Sequence, residues 1–269
     1  MIDATSGTLH VPGADLYHRV RGTGPLLLIV TGGSGDADPA DNLAAHLVDH
    51  YTVVTHDRRG LSRSRLDDPA EHPTVETHSD DIHRLLSALT TEPAFVLGTS
   101  LGALIALDLL VRWPEQVHTL VAHEPPAPSL LPDGERAQAQ RIQKQIEGST
   151  RSATWAATMR KIAVDHADRE PGVGIPAPTE QMVANAEFFR TRDAPSAHHY
   201  ELDVTALADS PARIVAAGGE RSRDAFPYRC ARALADRLGI EFAEFPGDHA
   251  GFATRPEAFA AKLREVLTH

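Results

Sequence analysis

Ser100 stands at the centre of Gly98-Thr99-Ser100-Leu101-Gly102. A serine hydroxyl attacks only when a neighbouring base takes its proton. Gly-x-Ser-x-Gly is the pattern of a sharp strand-to-helix turn that lifts such a hydroxyl to the top of a sheet. The turn leaves almost no room for side chains on either flank, which accounts for Gly98 and Gly102. The helix predicted after it has Gly102, Ala103 and Ala106 on its early face, small enough for close packing on a sheet, and points its free N–H groups at the site. A second stretch, Thr31-Gly32-Gly33-Ser34-Gly35-Asp36, is a glycine-rich loop after a strand. It lacks Gly-Lys-[Ser/Thr], which argues against a phosphate cradle, and it could instead supply a backbone N–H to an oxyanion.

Other residues admit chemistry more weakly. His46 and His50 lie four apart on a predicted helix, but no third ligand is in view, so water is their expected neighbour. Cys230 falls in a predicted helix and is expected to be structural. Arg58, Arg59, Arg63 and Arg65 form a basic turn that could meet an acidic substrate or simply fix a loop, with Asp57 pairing to one of them. His198 and His199 are expected to face water. Trp155, Met159, Met182, Phe188 and Phe189 are spaced like core-facing residues.

The elements that must position these groups alternate. Strands are predicted at 7–11, 15–21, 26–30, 51–55, 94–97, 117–122, 213–217 and 241–245. Helices are predicted at 41–49, from a capping box at Thr77 and Asp80, from Leu101 to the Trp113-Pro114 stop, at 226–238 and at 256–267. Between about 127 and 213 strand patterns vanish, and helices at 134–147, 152–166 and 179–190 are separated by Pro- and Gly-rich breaks. Strand–helix alternation at both ends implies a mostly parallel sheet with helices on both faces. Ligands of such sheets bind beyond the carboxyl ends of the strands. Ser100, Gly32, Gly33, Glu124 and His249 all fall just past predicted strand ends, so they converge on one rim.

The net charge of −11 argues against nucleic acid and an anionic membrane surface as partners. No apolar run approaches the roughly 18–20 residues that span a bilayer. The N-terminus lacks a basic region followed by an apolar core, and the single cysteine suits a reducing compartment, so a cytoplasmic location is expected. No motif fixes the oligomeric state, and a homodimer is compatible with the sequence.

Over almost its whole length the chain resembles the α/β-hydrolase superfamily. The segments that carry the likeness are Val30-Thr31-Gly32-Gly33, Asp57-Arg58-Arg59-Gly60-Leu61-Ser62-Arg63-Ser64, Gly98-Thr99-Ser100-Leu101-Gly102 and Pro246-Gly247-Asp248-His249-Ala250-Gly251-Phe252. Thr31 stands where family members of this subtype carry histidine. The resemblance implies an eight-stranded, mostly parallel sheet with a helical cap inserted after the sixth strand. The core would comprise residues 1–124 and 210–269, and the cap residues 125–209. It implies Ser100 as nucleophile, His249 as base, and the backbone N–H groups of Gly33 and Leu101 as oxyanion donors. The acid departs from the usual pattern. Its ordinary place falls on Arg221 or Ser222, which cannot serve, so Glu124 at the end of the preceding strand is favoured, with Asp224 and Glu220 as alternatives.

The implied reaction is hydrolysis of a small-molecule ester, thioester or lactone without metal or organic cofactor. The same triad can also run carbon–carbon hydrolysis, perhydrolysis, acyl transfer or cyclisation, and the fold can serve as a silent ligand receptor.

Overall fold

The computed structural model describes residues 4–149, 152–174 and 176–268, and the side chain of Trp155 lies outside the described residues. The elements in order are β1 (Thr5–Val11), β2 (Ala14–Arg21), β3 (Leu26–Val30), α1 (Asp41–Ala45), β4 (Thr52–His56), β5 (Arg65–Leu66), α2 (Val75–Leu89), β6 (Ala94–Thr99), α3 (Leu101–Arg112) and β7 (Val117–His123). They continue with α4 (Asp133–Glu147), α5 (Ser152–Lys161), α6 (Glu180–Phe188), a π-helical turn (Phe189–Asp193), α7 (Ala194–His199), α8 (Val204–Ala208), β8 (Arg213–Gly219), α9 (Phe226–Leu238), β9 (Phe242–Phe245), α10 (Gly251–Thr254) and α11 (Pro256–Thr268).

The strands form one sheet in the order β1-β2-β4-β3-β6-β7-β8-β9, and the two-residue β5 pairs on β2 outside that path. The β1–β2 and β2–β4 pairs are antiparallel, and every pair from β4–β3 to β8–β9 is parallel. Between β7 and β8 the described residues form helices and loops only.

Alternation along β3 explains why its whole run is apolar. Leu28 and Val30 face a cluster completed by Val96, Leu120 and residues of α2, α3 and α9. Leu27 and Ile29 face the opposite cluster, with Leu43 and Leu47 near α1 and Phe259 and Leu263 of α11. A strand with helices on both sides has no solvent face, so each buried Leu or Ile contributes roughly 2 kcal/mol of hydrophobic stabilisation.

Several boundaries differ from expectation. Helix α2 begins at Val75, not after Thr77, because Thr74 is extended and its Oγ1 accepts the Thr77 N–H at 3.2 Å. The helix predicted over 152–166 ends at Lys161. There Met159 O accepts both the Ile162 and Val164 N–H groups, and Ala163 takes a left-handed φ of 57°. That turn sends the chain toward the His249 loop. Among the described residues, no helix is long and apolar enough to cross a membrane.

Candidate active site

Strand β6 runs into the turn, and Ser100 sits at φ 54°, ψ −123°, immediately before α3. This is strained for a residue with a Cβ and typically costs about 1–3 kcal/mol. The surroundings hold it there. The Ser100 N–H donates to His123 O of the neighbouring β7 at 2.9 Å. A Cβ on Gly98 would lie 2.6 Å from Gly102 O, and one on Gly102 would lie 2.0 Å from Val30 O. Neither clash can relax, because one strikes the backbone of α3 and the other the backbone of β3.

The glycine-rich loop after β3 closes against this turn. A Cβ on Gly32 would lie 2.4 Å from Thr99 O and 2.7 Å from Leu101 N, so only glycine allows the two backbones this near. Thr31, in place of the resembled histidine, donates its hydroxyl to Gly35 O and Asp36 O, both at 3.1 Å, and thereby curls the loop.

Arg58 holds the loop from beneath. Its guanidinium donates to Thr31 O at 2.7 Å and to Gly33 O at 2.6 Å. It also donates to the carboxylate of Asp193 at 2.8 Å, in the π-helical turn before α7. Burial works to raise the Asp193 carboxyl, but His78 and Arg58 outweigh it and keep the group below its ordinary value. Breaking a buried pair from one side costs about 3–5 kcal/mol. Arg58→Met is therefore expected to lower the melting temperature by roughly 8–15 °C. Arg58→Met combined with Asp193→Leu should recover much of that loss. Calorimetric melts of both variants check it; equal melting temperatures for single and double would refute the coupling.

Two more arginines of the basic turn are also neutralised, while Arg65 is exposed. Arg59 pairs with Asp81 and Glu71, and Arg63 pairs with Asp57 and Asp38. An acidic substrate finds no free guanidinium among Arg58, Arg59 and Arg63.

Glu124 follows β7 directly, at φ 53°, and is fully buried. Its Oε1 accepts the Gly219 N–H at 2.8 Å and the hydroxyl of Ser222. Its Oε2 meets His249 Nδ1 at 2.5 Å. Burial by itself would raise this carboxyl, but the bonds and charge from His249, with His123 and Ser222, hold it below its ordinary value. Asp224 and Glu220, the alternative acids, are exposed, whereas the imidazole edge faces Glu124. Ser222 was missed as a contributor. At the place where the resembled family carries its acid, a hydroxyl supports a carboxylate supplied from one strand earlier.

The loop bearing His249 is braced by its neighbours. Asp248 accepts the Asp165 N–H at 2.6 Å and the Ala250 N–H at 2.8 Å, while the His249 N–H donates to Ala163 O at 3.2 Å. The left-handed Ala163 turn thus orients the histidine loop from the segment after α5.

Two other histidines are buried as neutral rings. Burial pushes His56 down to about 3 and His123 down to about 4. His123 lies edge-on to Phe245 and Phe259, and neither ring nitrogen has a hydrogen-bond partner among the described residues. At about pH 6.5 the unfolded chain binds about one more proton than the fold at these sites, and between roughly pH 5.5 and 4.5 nearly two. Stability should therefore fall on acidification by about 1.4 kcal/mol per pH unit near pH 6.5, steepening to about 2.5 in the lower window. Below that window the Glu124 contribution is lost as well. Urea unfolding at pH 7, 6 and 5 measures the slope, and His123→Phe should halve it. A flat profile would contradict the neutral assignment.

Ser100, Leu101, Gly33 and His249 line one cavity of about 230 Å³. Its far wall comes from the helices between β7 and β8, through Ile146, Met159, Ile162 and Phe189. His198 belongs to this wall too, which corrects the expectation that it faces water: Glu147 accepts at its Nδ1 and holds the ring inward. His199 is exposed as expected. Met182, expected in the core, is 43% exposed, and Phe188 instead covers Gly60. Cys230 is buried, and desolvation pushes its thiol well above the ordinary range. His46 and His50 are both exposed, and among the described residues no three His, Cys, Asp or Glu gather as a metal site.

The model of the alpha/beta hydrolase fold matches residues 25–163. The chain belongs to the alpha/beta hydrolase fold family. It is 43% identical to the uncharacterized hydrolase YraK of Bacillus subtilis (strain 168), over 97% of this chain and 96% of that protein. It is 29% identical to the zearalenone hydrolase of Bionectria ochroleuca over 45% of this chain and 48% of that protein. The structure of the carboxylesterase CesB from Bacillus subtilis superposes with a TM-score of 0.74 at 18% identity, covering 99% of this chain and 92% of that one, a likeness of fold alone. The family's expected order of elements agrees with the sheet, helices and turn described above.

Proposed function

We propose that this protein is a serine hydrolase that cleaves a carboxylic ester, or a related thioester or lactone, of a small molecule. The observation that carries the reading is the pairing of His249 Nδ1 with Glu124 Oε2, in a cavity that His249 shares with Ser100. Relatives named as hydrolases over nearly the whole chain and over about half of it support the same class.

In this reading Ser100 Oγ attacks the carbonyl carbon while His249 Nε2 takes its proton. Glu124 fixes the Nδ1–H tautomer and stabilises the imidazolium. The developing oxyanion is met by the N–H groups of Leu101 and Gly33, each worth roughly 3 kcal/mol in the transition state. The imidazolium returns the proton to the leaving alcohol as its carbon–oxygen bond breaks. Water then attacks the acyl-Ser100 carbonyl, giving its proton to His249, which passes it to Ser100 Oγ as the acyl–oxygen bond breaks and the acid departs. The helical segment 125–209 acts as a cap that walls the cavity and selects the substrate.

A fluorophosphonate probe tests this. Mass spectrometry should find the adduct on Ser100 in the wild type and none in Ser100→Ala, alongside turnover of p-nitrophenyl esters. Absence of both adduct and turnover would reject the reading.

A further inference from the structure

The cavity wall supplied by the segment between β7 and β8 is mostly apolar, and its polar side chains are Gln143, His166 and His198. Gln143 of α4 is 2% exposed and lines the cavity, yet its Nε2 meets no acceptor among the described residues. An unpaired amide donor in such a setting costs about 1–3 kcal/mol. An apolar side chain of similar size would avoid the penalty, and Ile146 and Met159 beside it show that the wall accepts such residues.

Glu147 lies one helical turn further along α4, on the same face as Gln143. It holds the Nδ1 edge of His198, so Nε2 is the edge of that ring left for another partner. Burial, which outweighs Glu147, lowers the His198 basicity and favours the neutral ring. With Nδ1–H directed at the carboxylate, Nε2 then accepts. Gln143 and His198 both line the cavity, and Glu147 ties His198 to the same stretch of α4, so the wall offers an amide donor and an imidazole acceptor.

We infer that Gln143 and His198 form a subsite for a hydroxyl group on the substrate, set apart from the bond cleaved at Ser100. A hydroxyl accepts from the carboxamide and donates to the imidazole. The match requires the carboxamide to present its NH₂, because a hydroxyl has one proton to give and can accept at the same time. A hydrocarbon chain would leave both side chains desolvated and unpaired, the situation in which polar sites discriminate most strongly. The substrates are therefore hydroxylated esters, not simple fatty acyl esters.

This inference rests on the proposed hydrolytic site, so its test is made independent of turnover. Calorimetry with Ser100→Ala protein measures binding of ω-hydroxyalkanoate methyl esters and their alkanoate counterparts, with chains of roughly four to eight carbons. A parallel series carries the hydroxyl on the alcohol portion, as ω-hydroxyalkyl and alkyl acetates. At the matching length the hydroxylated ligand should bind about tenfold more tightly than its alkyl partner. Adding Gln143→Leu should bring that ratio to about one. Gln143→Met gives the same readout if the leucine variant folds poorly. Alkyl ligands binding as well as hydroxylated ones at every length, or a ratio unmoved by the Gln143 substitutions, would overturn the subsite. A hydroxyl preference in Ser100→Ala together with no ester turnover by the wild type would uphold the subsite and reject the hydrolysis instead.

Discussion

Ser100→Ala is expected to lower kcat for p-nitrophenyl ester hydrolysis by about 10⁴-fold or more while leaving the melting temperature nearly unchanged. In the proposed mechanism the hydroxyl is the attacking group, and no other side chain stands in its place in the turn. Alanine keeps the Cβ and with it the backbone strain at φ 54°. Ser100→Gly should lose activity equally but gain about 1 kcal/mol of stability, or roughly 2–4 °C, because glycine adopts this conformation without penalty. Part of the relief is offset by the greater freedom of glycine in the unfolded chain. Steady-state kinetics and calorimetric melts of the two variants test the pair of expectations. A Ser100→Ala enzyme with more than a tenth of wild-type kcat would remove Ser100 from the chemistry.

Glu124→Gln is expected to cost about 10⁴-fold in kcat with little change in KM. The reason lies in what surrounds the carboxylate. Two donors, the Gly219 N–H and the Ser222 hydroxyl, occupy Oε1, so the oxygen of a carboxamide would turn toward them. Its NH₂ would then face His249 Nδ1 and require that nitrogen to accept. The imidazole would carry its proton on Nε2 and could not act as the base toward Ser100. Asp224→Asn and Glu220→Gln, both at exposed positions, should remain within about twofold of wild type. A Glu124→Gln variant at full activity, with loss in either of the others, would transfer the acid role away from Glu124.

The sequence carried the fold because the fold is written in local signals. The continuous apolar run of β3 declared a strand buried on both faces, and Gly98 and Gly102 declared a turn with no space for side chains. Where each strand ends is also local, and this sufficed to put Ser100, Gly33, Glu124 and His249 on one rim. Local signals also misled where two of them competed. Thr74 and Thr77 both suit a helix start, and only the extended backbone at Thr74 selected the first.

Contacts between residues far apart in the chain were decided by tertiary structure alone. Three carboxylates stood near enough in sequence logic to meet the imidazole, and packing of β7 against β8 brought Glu124 to Nδ1 and left Asp224 and Glu220 in water. Arg58 could have met a substrate or fixed a loop. Its guanidinium is sealed between the glycine-rich loop and Asp193, 135 residues away in the chain. Gln143 and His198 gave no sign of a shared wall, because a helix face shows its spacing in the sequence but not the direction in which it is packed. Strand ends and tight turns are dictated by neighbours along the chain. Side-chain pairing across a cavity depends on how whole helices settle on the sheet, and no short stretch of sequence encodes that.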